Sequence, residues 1–143
     1  MDYNLERFKS AQAYDFDKAL LEIRSGRKSG HWMWYIFPQM RGLGYSSMAN
    51  YYGIGCSDEA RAYLADPVLG SRLVLICEAL MELENKDAFM IFGYPDVQKL
   101  RSCMTLFAAI SEDDSIFQKV LEAYYHGEKD ERTLDLLKID ICE

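Results

Sequence analysis

The sequence predicts an all-α protein: a single compact domain of about eight helices over residues 1–143. Three observations support this fold class. Apolar residues recur at helical spacing through most of the chain, residues typical of helix starts precede these segments, and Gly or Pro residues separate them. A chain of 143 residues is long enough to bury one hydrophobic core. No internal repeat or low-complexity segment divides it.

The first third of the chain combines a clear helical pattern with an ambiguous one. The apolar spacing over residues 5–23 predicts one bent helix or two short helices that end before Gly26. In residues 32–37 the apolar side chains fall on both faces, so the pattern fits a short extended segment or a buried helical turn. Pro38 marks the end of this segment. A short helix is predicted over residues 46–52, beginning at either of two serines.

The last two thirds of the chain predict helix after helix. Ser57 and Asp66 are predicted N-cap residues, and Pro67 suits a first helical position. The six predicted helices run from Ser57 to about Ala65, from Asp66 to Leu83, from Asp87 to Phe92, from Asp96 to Phe107, from Asp113 or Asp114 to Tyr124, and from Glu131 to Ile139.

Charge and composition argue against several classes of function. The net charge of −7 is unfavourable for general nucleic-acid binding, where a basic surface supplies most of the affinity. It is equally unfavourable for an anionic membrane surface. No apolar run approaches the roughly 18 residues of a membrane span. The amino terminus lacks a signal-peptide pattern, so a cytoplasmic protein is expected.

The four cysteines are far apart in the sequence, without a CxxC pair. This scatter predicts free thiols in a reducing compartment rather than disulfides or a structural zinc site. Neither a metal ion nor a cofactor is predicted.

One segment differs from the rest of this acidic chain. Residues 23–57 contain no Asp or Glu, although the chain has 23 acidic residues. The same segment contains both tryptophans, most of the glycines, and the cations Arg24, Arg27, Lys28 and Arg41. A basic, aromatic, Gly-rich segment without acids is expected to hold a negatively charged group. The predicted ligand is therefore a small phosphorylated metabolite with a ring, such as a nucleotide or an ADP-ribose derivative.

The candidate ligand-binding residues fall into three groups by chemistry. Aromatic faces stack on rings, His and Gln side chains hydrogen-bond polar groups, and Gly-Ser turns with arginines bind anions. Arg101 and Thr105 lie four residues apart on one predicted helix, with Gln98 three residues before Arg101, and these side chains could reach the same ligand. The candidates are His31, Trp32, Trp34, Gln39, Arg41, Gly42, Gly44, Ser46, Ser47, Arg101 and Thr105.

Each group also has a purely structural interpretation, since large aromatics fill cores, Gly-Ser turns start helices, and polar helix faces contact water. A second class of function also remains open. The aromatic segment could dock a partner protein or a second copy of the chain, because exposed Tyr, Trp and Arg residues are typical of such surfaces. A deep pocket with Arg41 and Arg101 converging would favour the ligand, and a flat aromatic patch the partner.

Catalysis is not specified by the sequence. The patterns HExxH and GxSxG are absent, and no Cys–His pair stands at a known spacing. Hydrolysis of an N-glycosidic bond would need a carboxylate near the site. No carboxylate can be chosen from sequence alone, because helix capping accounts for the acids that flank the candidate segments.

Several motifs make the chain similar to a known family. They are HWMWYIFPQ at residues 31–39, RGLG at residues 41–44, PVLGSRL at residues 67–73 and KLRSCMTLF at residues 99–107. The chain resembles the small bacterial and fungal proteins classed as domain of unknown function eighteen-ten. The resemblance runs from residues 5–8 to residues 130–134, and the first motif is the most specific. It implies a mainly helical cytosolic fold and brings no settled activity.

A looser similarity concerns the small N-glycosidases that act on ADP-ribose-linked substrates. The order of an aromatic segment, a Gln-containing turn and trailing helices resembles that family. The chain departs from it in one respect: no Glu matches the family's catalytic acid, and Gln39 stands where an acid would be sought. This resemblance therefore implies shared ligand chemistry more than shared catalysis.

Overall fold

The computed structural model describes residues 3–139, and the regular elements in this range are helices. The prediction of an all-α fold is confirmed, with nine helices in the described range where about eight were expected. They are α1 (Glu6–Arg24), α2 (Met33–Ile36), α3 (Ser47–Tyr52), α4 (Ser57–Ala65), α5 (Pro67–Glu82), α6 (Ala88–Phe92), α7 (Asp96–Ala109), α8 (Ile116–Tyr125) and α9 (Glu131–Ile139).

Two long helices organise the packing. Helix α5 packs against α1, α4 and α8, while α7 packs against α8, α6 and α9. Helix α5 buries Leu69, Leu73, Ile76 and Leu80 in a continuous core that also includes Trp32. Burying such side chains stabilises a protein by about 1.5–3 kcal/mol each. No helix of the described part of the chain is long and apolar enough to cross a membrane.

The predicted helix starts are partly right. Asp66 caps α5 as expected, because its carboxylate accepts hydrogen bonds from two backbone N–H groups and Pro67 follows it. Ser57 is instead the first residue of α4, whose N-cap is Cys56, so the predicted cap is wrong by one position. Helix α8 begins after Ser115, which caps it in place of the expected aspartates.

The ambiguous segment at residues 32–37 is a helical turn. Helix α2 spans four residues and ends at Phe37, which leaves the helical region with φ −124° and ψ 72°. Pro38 explains this end, since a residue before proline avoids the α conformation. The first predicted helix is continuous, because α1 runs unbroken from Glu6 to Arg24.

A loop over residues 40–54 connects α2 to α4 and carries α3. Its ends are joined by an isolated parallel bridge between Met40 and Ile54. The N–H of Ile54 donates to the carbonyl of Gln39 at 2.9 Å. Gly53 is required beside this bridge, because a Cβ there would lie 2.7 Å from the Cα of Arg41. The bridge fixes Gln39 and the turn after it against the helices.

The cysteines differ from one another. Cys77 and Cys103 are free and fully buried, and burial raises the pKa of both thiols. Cys56 is disulfide-bonded. The prediction of free thiols is therefore confirmed at Cys77 and Cys103 and wrong at Cys56.

Candidate functional site

A cleft of about 380 Å³ lies between the loop after α2, the first turns of α7 and the start of α9. We call it the main cleft. Its volume falls within the roughly 300–1,000 Å³ typical of small-molecule sites. It is lined by Trp34, Gln39, Leu43, Gly44, Tyr45, Ser46, Ala49, Pro95, Gln98, Lys99, Arg101, Ser102, Asp130 and Arg132.

Three cations and one acid line the main cleft. Lys99 and Arg101 come from α7, and Arg132 comes from the first turn of α9. The guanidinium of Arg132 donates to the carbonyl of Leu43 at 3.4 Å, which connects α9 to the loop. Asp130 is the single carboxylate among the described residues that line it. The cleft is thus electropositive on a protein of net charge −7.

Within residues 3–139, the guanidinium of Arg101 makes two long ion pairs and no hydrogen bond. Its Nη1 lies 3.9 Å from Glu128 and its Nη2 lies 3.9 Å from Asp130, both beyond hydrogen-bond distance. Its Nε is buried and has no partner among the described residues. This Nε is enclosed by protein and out of reach of a ligand, so the donors that face an anion in the cleft are Nη1 and Nη2.

Trp34 provides an aromatic wall of the main cleft. It is half-buried against the core and lines the cleft. The ammonium of Lys99 lies 4.9 Å from its ring centroid, which is a cation–π geometry. Tyr45, at the rim, is 84% exposed. The cleft thus offers two aromatic rings next to its cations.

Asp130 is held in place by one of its two carboxylate oxygens. Oδ2 accepts hydrogen bonds from the hydroxyls of Ser102 and Thr133 and from the N–H of Thr133, so it also caps α9. The other oxygen, Oδ1, lies 3.9 Å from Nη2 of Arg101 and accepts no hydrogen bond from the residues that the structure describes. Oδ1 therefore remains an acceptor for a hydroxyl or N–H group in the cleft.

The turn after Gln39 forms the opposite side of the cleft. The N–H of Ala49 donates to the hydroxyl of Ser46, which thereby caps the short helix α3. Gly44 fits tightly here, because a Cβ would lie 3.0 Å from that of Ala49. The predicted anion cradle at the start of α3 stays a prediction; helix α3 has six residues, and the hydroxyl of Ser46 accepts one N–H of its first turn.

The structure brings some of the predicted site residues together and separates the others. The residues that line the main cleft are Trp34, Gln39, Gly44, Ser46 and Arg101. Those that do not line it are His31, Trp32, Arg41, Gly42, Ser47 and Thr105. The predicted convergence of Arg41 and Arg101 on one cavity is therefore absent from the described structure.

Trp32 belongs to the core. It is 1% exposed, and its indole N–H donates to Glu22 at 3.0 Å. The same carboxylate oxygen accepts from the N–H groups of Ser29 and Gly30. Burial raises the pKa of Glu22, but these hydrogen bonds outweigh it, so the pKa lies below its usual value. Trp32 thus secures the segment that precedes α2.

Arg41 stabilises the loop instead of contacting the cleft. Its guanidinium donates to the carbonyl of Gly53 at 3.0 Å and to that of Asn50 at 3.3 Å. Gly42 supplies a left-handed turn with φ 106° and faces Leu136 of α9. These backbone contacts account for both residues without a ligand.

Thr105 lies beneath the cleft and is 1% exposed. Its hydroxyl donates to the carbonyl of Arg101 and accepts from the N–H of Asp130, at 2.8 and 2.9 Å. It therefore positions two cleft residues but is itself buried.

Six polar or aromatic residues that line the cleft are outside the candidate residues chosen from the sequence. For Lys99 the sequence does indicate a place in the site, because Lys99 lies on the same predicted helix as Arg101. For residues 130–132 it gives no such indication, because only the packing of α9 against α7 brings them to the loop. The six residues are Tyr45, Gln98, Lys99, Ser102, Asp130 and Arg132.

A second cavity of about 330 Å³ adjoins the main cleft. His31 lies here. The two spaces share Trp34, Pro95 and Lys99. The remaining lining residues are Lys28, Ser29, Gly30, Met33, Tyr94 and Asp96.

Among the described residues, no group of three or more His, Cys, Asp or Glu side chains could hold a metal ion. The site that the geometry defines is thus a basic, aromatic cleft in an all-helical protein. The chain belongs to the family described as "Protein of unknown function (DUF1810)", which matches residues 2–137.

A solved structure supports this assignment. The crystal structure of the conserved hypothetical protein Rv1873 from Mycobacterium tuberculosis, at 1.38 Å, is similar to this chain with a TM-score of 0.92 and 44% sequence identity. The similarity covers 95% of this chain and 97% of that one. No curated protein matches the chain significantly.

Proposed function

We propose that the main cleft binds a small phosphorylated metabolite that carries a ring, such as a nucleotide or an ADP-ribose derivative. One observation carries the proposal: the terminal nitrogens of Arg101, in the lining of the cleft, lie 3.9 Å from the nearest described carboxylates, too far for hydrogen bonds. Phosphate oxygens are well suited to satisfy such donors, because charged hydrogen bonds to arginine are short and strong.

The remaining lining residues provide matching contacts for the rest of such a ligand. Lys99 and Arg132 add positive charge beside Arg101, and Trp34 and Tyr45 offer ring surfaces for stacking. Oδ1 of Asp130 would accept a hydrogen bond from a sugar hydroxyl. An acid in an anion-binding cleft weakens binding unless it contacts a donor, so a ligand with both phosphate and hydroxyl groups fits better than inorganic phosphate.

Hydrolysis of an N-glycosidic bond in this ligand stays a prediction. In the described part of the chain, Asp130 is the one carboxylate that lines the main cleft, and three hydrogen bonds on Oδ2 leave Oδ1 available. Asp130 is therefore the residue to test. If Asp130 acts as a general base, Asp130→Asn should stop release of the free nucleobase while nucleotide binding persists.

Docking of a partner, or formation of a homo-oligomer, through the aromatic segment is less well supported. Trp32 is buried and Trp34 forms the wall of a cleft, so this segment lacks the flat exposed aromatic surface that docking would need. Static light scattering tests this alternative, and we expect a monomer in the absence of ligand.

Isothermal titration calorimetry tests the proposed function directly. AMP, ADP, adenosine and inorganic phosphate would each be titrated into the wild-type protein and into Arg101→Gln. We expect AMP and ADP to bind more tightly than adenosine or phosphate, and Arg101→Gln to weaken both by about ten- to a hundredfold. Absence of AMP and ADP binding at millimolar concentration, or binding that Arg101→Gln leaves unchanged, would overturn the proposal.

A further inference from the structure

The second cavity shares a wall with the main cleft. Trp34, Pro95 and Lys99 line both spaces, whose volumes are about 380 and 330 Å³. Each volume alone is near the lower end for a ligand site, and together they fall well within the usual range of roughly 300–1,000 Å³. A ligand that fills the main cleft and extends past Lys99 would therefore enter the second cavity.

The charged groups of the second cavity are already paired. The ammonium of Lys28 lies 2.7 Å from Asp96 and donates to the carbonyl of Gly30 at 2.5 Å. Its side chain is only 7% exposed. Lys28 thus has little capacity left for a phosphate, and this cavity suits an uncharged polar group.

Two exposed side chains of the second cavity, those of His31 and Tyr94, are not held by such pairs in the described part of the chain. Within residues 3–139, neither the imidazole of His31 nor the hydroxyl of Tyr94 has a hydrogen-bond partner, and Tyr94 is 71% exposed. Both combine an aromatic surface with a hydrogen-bonding group. This is the chemistry that recognises a sugar or a second nucleoside.

Lys99 stands where the two spaces meet. Its ammonium lies 4.9 Å from the ring centroid of Trp34 and 3.5 Å from Asp96. Among the described residues that line the two spaces, four cations (Lys28, Lys99, Arg101 and Arg132) face two acids (Asp96 and Asp130), and Glu128 lies 3.9 Å from Arg101. The remaining excess of positive charge favours a linking diphosphate, which carries two negative charges when both of its phosphates are esterified.

The geometry points to a two-part ligand of the class of nucleoside diphosphate diesters. Its nucleotide half lies in the main cleft, its diphosphate lies beside Lys99 and Arg101, and its second sugar or nucleoside occupies the second cavity at His31 and Tyr94. This assignment rests on the proposed function, because it requires a nucleotide in the main cleft.

Calorimetric titration with AMP, ADP and ADP-ribose tests the second cavity separately from the first. The proteins are the wild type, His31→Ala, Tyr94→Ala and Tyr14→Ala. Tyr14→Ala is a matched control, because Tyr14 is 89% exposed on α1 and lines neither space. We expect ADP-ribose to bind the wild type at least about tenfold more tightly than ADP. His31→Ala and Tyr94→Ala should each remove most of this advantage and leave AMP affinity unchanged.

The outcomes separate the two proposals. If ADP-ribose binds no more tightly than ADP, or if its advantage survives in both variants while AMP still binds, the second-cavity assignment is overturned and the main cleft stands. If neither AMP nor ADP binds the wild type, the proposed function fails and this assignment with it. Should Tyr94→Ala fold poorly by circular dichroism, His31→Ala decides the outcome alone.

Discussion

Trp32 and Trp34 stand two residues apart, yet they serve two different regions of the molecule. Each has a lysine ammonium 4.9 Å from its ring centroid, Lys28 for Trp32 and Lys99 for Trp34. Trp32 is fully buried and hydrogen-bonded to Glu22, whereas Trp34 is half-buried and lines the main cleft. A tryptophan with a lysine beside its ring thus belongs to the core in one case and to the candidate site in the other.

The two tryptophans differ because their side chains point in different directions at the short helical turn α2. Trp32 precedes α2 and points into the core, while Trp34 lies within α2 on the side that faces the start of α7. Lys28 is bound by Asp96 at 2.7 Å, and Lys99 approaches the same carboxylate only to 3.5 Å. The polar groups around Trp32 have close hydrogen-bond or ion-pair partners. In the cleft beside Trp34, the terminal nitrogens of Arg101 lie 3.9 Å from the nearest described carboxylates.

The largest predicted effect is on stability at Trp32. Trp32→Ala should lower the free energy of unfolding by about 3–5 kcal/mol, because a fully buried aromatic side chain leaves a cavity. Trp34→Ala should cost clearly less, since its side chain is only partly buried. Urea denaturation of the two variants measures the difference. Equal losses would show that both tryptophans are structural.

The next largest effect is on nucleotide affinity at Arg101. Arg101→Gln should weaken AMP binding by about 1.5–3 kcal/mol, the worth of a charged hydrogen bond. Arg41→Gln is the matched control, because Arg41 donates to loop carbonyls and does not line the cleft. Calorimetry should show unchanged AMP affinity for Arg41→Gln. A similar loss of AMP affinity in both variants would contradict the assignment of Arg101, and not Arg41, to the binding site.

A smaller effect concerns the pH dependence of stability at Glu22. Its hydrogen bonds hold the pKa below the ordinary value of 4.5, so its contribution is fully present above that value and is lost as pH falls through the lowered pKa. Glu22→Gln should cost about 1 kcal/mol at pH 7, because charged acceptors bind more strongly than neutral ones. Urea titrations at pH 7 and pH 3 should show this difference shrinking in acid. A difference independent of pH would contradict the account.

The smallest predicted effect is at the rim. Tyr45→Ala should weaken AMP binding by about 0.5–1.5 kcal/mol, the worth of one aromatic contact. It should leave the melting temperature almost unchanged, because Tyr45 is 84% exposed. Tyr51→Ala, at an exposed tyrosine outside the cleft, is the control and should leave AMP affinity unaltered.

The sequence was more informative about the helices than about the site, and particular residues show why. The pair Asp66-Pro67 predicts the start of α5, because the capping carboxylate and the proline both act on the adjacent backbone. The segment without acids, residues 23–57, contributes Trp34, Gln39, Gly44 and Ser46 to the lining of the main cleft.

The same pattern could not distinguish Trp34 from Trp32, or Arg101 from Arg41. Their environments depend on which elements pack against them, and no local pattern encodes that. Asp130 and Arg132 reach the cleft only through the contact of α9 with α7. Their part in the site therefore becomes visible only once the chain is folded.

The most direct test uses the fact that the chain has only two tryptophans. In Trp32→Phe only Trp34 fluoresces, and in Trp34→Phe only Trp32 does. Both variants would be titrated with AMP, with excitation at the red edge of indole absorption, where the nucleotide absorbs little. The account predicts a saturable change in Trp34 emission and none in Trp32 emission. A change confined to Trp32, or none in either variant at millimolar AMP, would contradict it.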